Sequence, residues 1–205
     1  GEFMSVGSHR IRSDRDRDAL LNYWSVSPVV RELVSYLGSH SHELETMLSP
    51  RLAVSTGLVR GRIDSRRTRI VQELTGNKAA VVSHEPQRVS DIDSNRLIAW
   101  VLRQVEIRQL ELLRWQSGDS PYSRVIASVA DDLAFATRAG PVAEILRGVH
   151  PTPSPPTSAV GSAARSRRPL YQLALSALDL YLRTESGDKA AISAVLQDGV
   201  LAPLE

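Results

Sequence analysis

The chain has 205 residues, of which 42% are hydrophobic and 23% charged; that is enough to bury a sizeable core, with close to ordinary globular usage. It contains no cysteine, which excludes disulfides and thiolate metal sites. It also lacks a secretory-type leader and any apolar run near the roughly 18 residues that cross a bilayer, so a cytoplasmic protein without membrane contact is expected.

The formal charge of +2 is unevenly spread, because lysine stands only at Lys78 and Lys189 and the other 23 of the 25 basic residues are arginine. Residues 51–70 hold six arginines (Arg51, Arg60, Arg62, Arg66, Arg67 and Arg69) against the single acid Asp64, a local net of +5. Guanidinium forks suit phosphate and carboxylate alike, so the cluster predicts an anionic partner without naming it.

In chain order, Gly1, Glu2 and Phe3 before Met4 resemble a cloning remnant, so the chain reads as a piece of a longer protein. Residues 1–18 alternate in charge with few apolar positions, which predicts a disordered tail. Ser27-Pro28 opens a helix whose apolar face carries Val29, Val30, Leu33, Val34 and Leu37, with Gly38 as its stop. Residues 53–65 alternate weakly as a strand, with Arg60, Arg62 and Asp64 on one side and Gly61 and Ile63 on the other. Thr75-Gly76-Asn77 marks a turn, and the β-branched run from Lys78 to Ser83 a second strand.

Ser90 or Asp91 is expected to cap the longest helix, with Leu97, Ile98, Val101, Leu102, Val105, Leu112 and Leu113 as its stripe and Gly118 as its end. Ser120-Pro121 begins the next helix, and a short one follows from Pro141 to Arg147. Proline, serine and alanine dominate residues 150–168, the composition of a flexible linker. A C-terminal helical pair follows over 169–205, the second helix capped by Asp188. The expected fold is mostly α: a helical domain over 19–149 with a small two- or few-stranded β element between residues 53 and 84.

The chemistry is defined largely by what is missing. Neither lysine follows a glycine, so there is no phosphate-cradling Gly-Lys pair. Gly76 and Gly187 stand two positions before the lysines, where a PD-(D/E)xK nuclease carries an acid. No Gly-x-Ser-x-Gly elbow occurs. No catalytic residue, metal ligand or cofactor site is therefore assigned. The His40-x-His42 spacing followed by Glu43 is the nearest approach to a metal motif, and it lacks further ligands.

The arginine cluster has two readings. Arg60, Arg62, Arg66, Arg67 and Arg69 contact phosphates or a protein partner, or they pair internally with Asp64, Asp91 and Asp93. Trp24, Tyr23, Trp100 and Trp115 are aromatic enough to stack on an extruded base; Trp24, just before the proline-led helix, is the best exposed candidate, and core packing is its alternative.

Arg60-Gly61-Arg62-Ile63-Asp64, then Thr68-Arg69, then Asp91-x-x-x-Asn95-Arg96-Leu97-Ile98 resemble, in order and spacing, the central region of McrC, the nuclease subunit of 5-methylcytosine-dependent restriction systems in antiviral defence. Arg168-Pro169-Leu170-Tyr171 resembles that family's helix before its nuclease domain. The resemblance spans about forty residues and implies a non-catalytic module N-terminal to a missing PD-(D/E)xK domain. It implies an AAA+ GTPase (McrB-like) partner coupled to DNA cleavage. The alternative is a DNA-binding module that recognises double-stranded, possibly modified, DNA through the arginine-rich strand and loop. Gly61, Asp91, Asn95 and Arg96 are then fold determinants: Asp91 and Asn95 cap the long helix, and Arg62 and Arg96 pair with Asp91.

Overall fold

The computed structural model describes residues 14–115, 121–138 and 140–200. The fold is mostly α with one small antiparallel sheet. The helices are α1 (Asp14–Trp24), α2 (Pro28–His40), α3 (Ser65–Thr75), α4 (Asp93–Trp115), α5 (Pro121–Thr137), α6 (Pro141–Gly148), α7 (Thr157–Arg165), α8 (Pro169–Glu185) and α9 (Lys189–Val200). The strands are β1 (Met47–Ser55), β2 (Arg62–Ile63) and β3 (Val81–Val89).

The chain forms two compact units. Glu45–Ile92 is an α/β unit, and the described residues before and after it make a helical unit. This differs from the expected division into one domain over 19–149 followed by a linker and a helical pair. The division follows from long-range packing: α8 lies against α1, α2 and α4, so the two ends of the chain share one core.

In the helical unit, α2 follows its sequence signals. Ser27 is the extended residue before it and Pro28 occupies the first turn, where a missing N–H costs nothing. Val30, Leu33, Val34 and Leu37 are buried, the i, i+3, i+4, i+7 stripe of an amphipathic helix. The helix runs past Gly38 to His40, since an isolated glycine lowers helix stability without ending the helix.

Two expectations fail here. Asp14–Asp18, placed in a disordered tail, belong to α1, where Asp18 pairs with Arg108 of α4 at 3.1 Å. The expected linker over 150–168 contains α7, which packs on α4 and α8 with Ala159 and Ala163 fully buried. Small side chains let two helices approach closely, so a composition that resembles a linker also suits a tight helix contact. The expected stop at Gly118 lies outside the described residues.

The α/β unit has strand order β1-β3-β2, antiparallel throughout. The register pairs Leu48 with Arg88, Pro50 with Pro86, Leu52 with His84 and Val54 with Val82; on the other side of β3, Arg62 pairs with His84. β1 begins six residues before the expected element, and the expected 53–65 strand is split: Ala53–Ser55 end β1 on one side of β3 and Arg62–Ile63 form β2 on the other. Residues 65–75 fold as α3, an element the sequence reading omitted. Asp64 caps α3 by accepting from the Arg67 N–H at 3.0 Å, and left-handed Gly76 closes it, a paired start and stop.

Candidate functional site

Trp24, the expected stacking residue, is instead core: it has no exposed surface, and its Nε1 donates to the Ala177 carbonyl at 2.9 Å. Tyr181 stands edge-on between Trp24 and Trp100, at 5.0 and 5.2 Å, the arrangement aromatic quadrupoles favour. Trp100 Nε1 donates to the Thr152 carbonyl at 3.0 Å. Both indoles have their polar edge satisfied and offer no face to a base. Tyr23 is half-buried between two apolar clusters.

Asn95 lies in the core. α4 begins at Asp93, which places Asn95 inside the first turn, fully buried, with its Oδ1 accepting from the Tyr171 hydroxyl of α8. The residue thus ties two helices together. Arg96 bonds Asp93 at 3.1 Å, one turn back on its own helix. His40 stacks on Tyr36 at 3.9 Å, and the Tyr36 hydroxyl donates to Glu43 Oε1 at 2.6 Å. That bond holds the Glu43 carboxyl below the usual carboxylate range and raises the Tyr36 phenol. Among the described residues, no group of three or more His, Asp or Glu side chains is placed to hold a metal ion, and no helix is long and apolar enough to cross a membrane.

The α/β unit is different. Gly61 has φ +93°, and a Cβ there would lie 2.1 Å from the His84 carbonyl oxygen. Only glycine permits this approach, which leads the chain into the Arg62–His84 pairing. Asp64 lies beside His84, with Oδ2 at 3.5 Å from His84 Nε2, and 3.7 Å from Arg67 Nε. Its carboxyl is held below the ordinary value, first by the Arg67 N–H and then by the contact with His84.

Arg67 is therefore the cluster's internally paired member. The side chains of Arg60, Arg62, Arg66 and Arg69 are exposed, and none forms a hydrogen bond or ion pair with the described residues. The expected Arg62–Asp91 pair is absent: Arg62 lies opposite His84, and Asp64 takes Arg67 and His84 instead. In all, Glu45–Ile92 carries eight basic residues against five acidic ones, a net of +3.

The same unit exposes large apolar side chains that the sequence reading passed over. Leu48 is 67% exposed, Val54 61%, Leu58 77% and Leu74 81%, with Met47, Leu52, Ile63 and Ile70 about half exposed. Pro50 hid the signal, because a proline within an apolar run argues against a strand unless that strand lies at an edge. β1 is such an edge strand.

The fold and this surface define a class: a helical protein carrying a small α/β unit whose exposed surface mixes arginine with leucine, isoleucine and valine. No family profile, curated protein or solved structure matches the chain.

Proposed function

We propose that this chain is a non-catalytic docking module in which the α/β unit binds a protein partner and the helical unit is its scaffold. The observation that carries this reading is the composition of the exposed surface of Glu45–Ile92: eight large apolar side chains at 44–81% exposure, beside six arginines (Arg51, Arg60, Arg62, Arg66, Arg69 and Arg88) whose side chains bond none of the described residues. Leu48, Leu52 and Val54 share one face of the sheet; exposed apolar patches mark protein interaction sites, and arginine is enriched in such interfaces. A phosphate-binding surface needs the cations but gains nothing from the leucines.

The McrC-like motif order over residues 59–98 supplies the partner class. On that reading the partner is a McrB-like AAA+ GTPase, the parent is an endonuclease subunit of an antiviral restriction system acting in the cytoplasm, and this chain couples the GTPase to cleavage. The absence of a Gly-Lys pair and of an acid two positions before either lysine fits a segment that does no chemistry itself. The second reading, contact with plain or modified duplex DNA, rests on the unpaired Arg60, Arg62, Arg66 and Arg69.

Sedimentation of the full chain with a McrB-like GTPase from the same genome tests the proposal. A parallel mobility shift uses plain and methylated duplexes at about 50 mM salt. Co-sedimentation with no shift is expected. Duplex binding whose log–log salt slope falls by about one unit on removing Arg66 or Arg69 would overturn it.

A further inference from the structure

The register of the sheet shows what kind of segment this surface takes. Cross-strand partners share a face of a sheet. Leu48, Pro50, Leu52 and Val54 of β1 therefore lie on the same face as Arg88, Pro86, His84 and Val82 of β3 and Arg62 of β2. On that face an apolar row follows β1; beside it β3 presents Arg88, Pro86, His84 and Val82, and Arg62 of β2 stands beyond His84, so the cations Arg88 and Arg62 lie on the side of the apolar row away from the free edge. The side chains of Arg88 and Arg62 bond none of the described residues. The one acid there, Asp64, is already engaged by Arg67 and His84.

The edge of the sheet is closed to a strand. The Val82 N–H and C=O are taken by Thr68 Oγ1 at 2.9 Å and by the Asp64 N–H at 2.9 Å, on the side of β3 away from β1. By antiparallel alternation, residues 48, 50, 52 and 54 of β1 then direct their backbone groups to the free edge. Pro50 sits in the middle of that row and has no N–H to give. A proline at this position is a known defence against strand addition.

We infer that an acidic amphipathic helix of the partner docks face-on across β1 and β3, its apolar stripe on Leu48, Leu52 and Val54 and its carboxylates over Arg88 and Arg62. The inference rests on the docking reading above and supplies its ligand. The dimensions agree: Leu48 to Val54 spans about 20 Å of strand, the length of a helix of about 13 residues. A helix about 10 Å wide covers two strands spaced about 4.8 Å apart. One flank of the helix thus meets the leucines while the other meets the arginines.

The test uses the full chain and a synthetic 18-residue peptide with a leucine stripe and glutamates along one flank. One control peptide replaces glutamate by lysine, and another scrambles the order. Methyl NMR titration reads affinity and location. Wild type should bind the glutamate peptide with shifts centred on Leu48, Leu52 and Val54, and should bind neither control. Leu52→Ser and Arg62→Glu should each weaken binding at least tenfold, whereas Lys78→Glu, in the turn beyond α3, should not. Leu48→Ser and Arg88→Glu repeat the test should either first variant unfold, as judged by circular dichroism. Failure of wild type to bind, equal binding of the lysine peptide, or indifference to both leucine variants overturns the inference. If the peptide fails while the GTPase still co-sediments, the helix assignment falls and the docking reading stands. If the GTPase also fails and duplex DNA binds, both fall.

Discussion

The helical unit and the α/β unit treat their distinctive side chains in opposite ways. The first buries them: Trp24, Trp100, Tyr171 and Asn95 all face inward, each with its polar atom bonded. The second leaves six arginine side chains without a bond to the described residues and eight large apolar side chains exposed, on a sheet whose β2–β3 pairing is pinned by Gly61, Asp64 and His84. An aromatic residue in a helical segment is therefore weak evidence of a binding site. An apolar row on an edge strand beside unpaired cations is stronger evidence, because solvation of that row is a cost the fold has not removed.

Substitutions sharpen this contrast. The largest effect should come from Trp24→Ala, which empties a fully buried indole site and frees the Ala177 carbonyl; about 3–5 kcal/mol of stability should be lost, read from denaturant midpoints. An unchanged midpoint would return Trp24 to the surface. Gly61→Ala forces a Cβ into the His84 carbonyl at a positive φ, so strain of about 1–3 kcal/mol is expected. Faster hydrogen exchange at residues 62–63 and 82–84 should report it, with α2 and α8 unaffected. Uniform exchange throughout would mean that the two units melt as one.

Asn95→Ala should cost about 1–3 kcal/mol, because it leaves the Tyr171 hydroxyl buried without that acceptor. In a double-mutant cycle with Tyr171→Phe the two losses should not add. Strict additivity would break the proposed link between α4 and α8.

The smallest effect concerns pH. The Asp64 carboxyl titrates below its ordinary value, so the folded state favours its charged form. Its contribution is fully present above the ordinary carboxylate pKa and is lost as pH falls through the lowered folded value. Acid titration of the melting temperature should therefore be shallower in Asp64→Asn than in wild type, and an identical acid limb would contradict the capping account.

Much of the helical unit was legible in sequence. The 3.6-residue stripes of α2, α4, α5 and α8 and the proline starts of α2, α5 and α6 carry local signals. α7 was not legible, since Ala159 and Ala163 contribute to the core by smallness rather than by hydrophobic pattern. α3 was hidden because Ser65-Arg66-Arg67-Thr68-Arg69 has no apolar stripe, although Asp64 and Gly76 bracket it as cap and stop. In the candidate site, the arginines and Gly61 were legible as types. His84 was not, because its part depends on pairing with Arg62 from twenty-two positions earlier in the chain. The division into two units comes from contacts between chain ends, which no local pattern encodes.

The measurement that bears most directly on the division of labour is a paired one on the triple variant Leu48→Ser, Leu52→Ser, Val54→Ser. Exposed positions away from structural features usually change stability by no more than about 0.5 kcal/mol each. The variant should therefore keep its denaturant midpoint close to wild type while losing at least tenfold in affinity for the proposed McrB-like GTPase partner. A variant that unfolds, or that binds the GTPase as well as wild type does, would contradict the account.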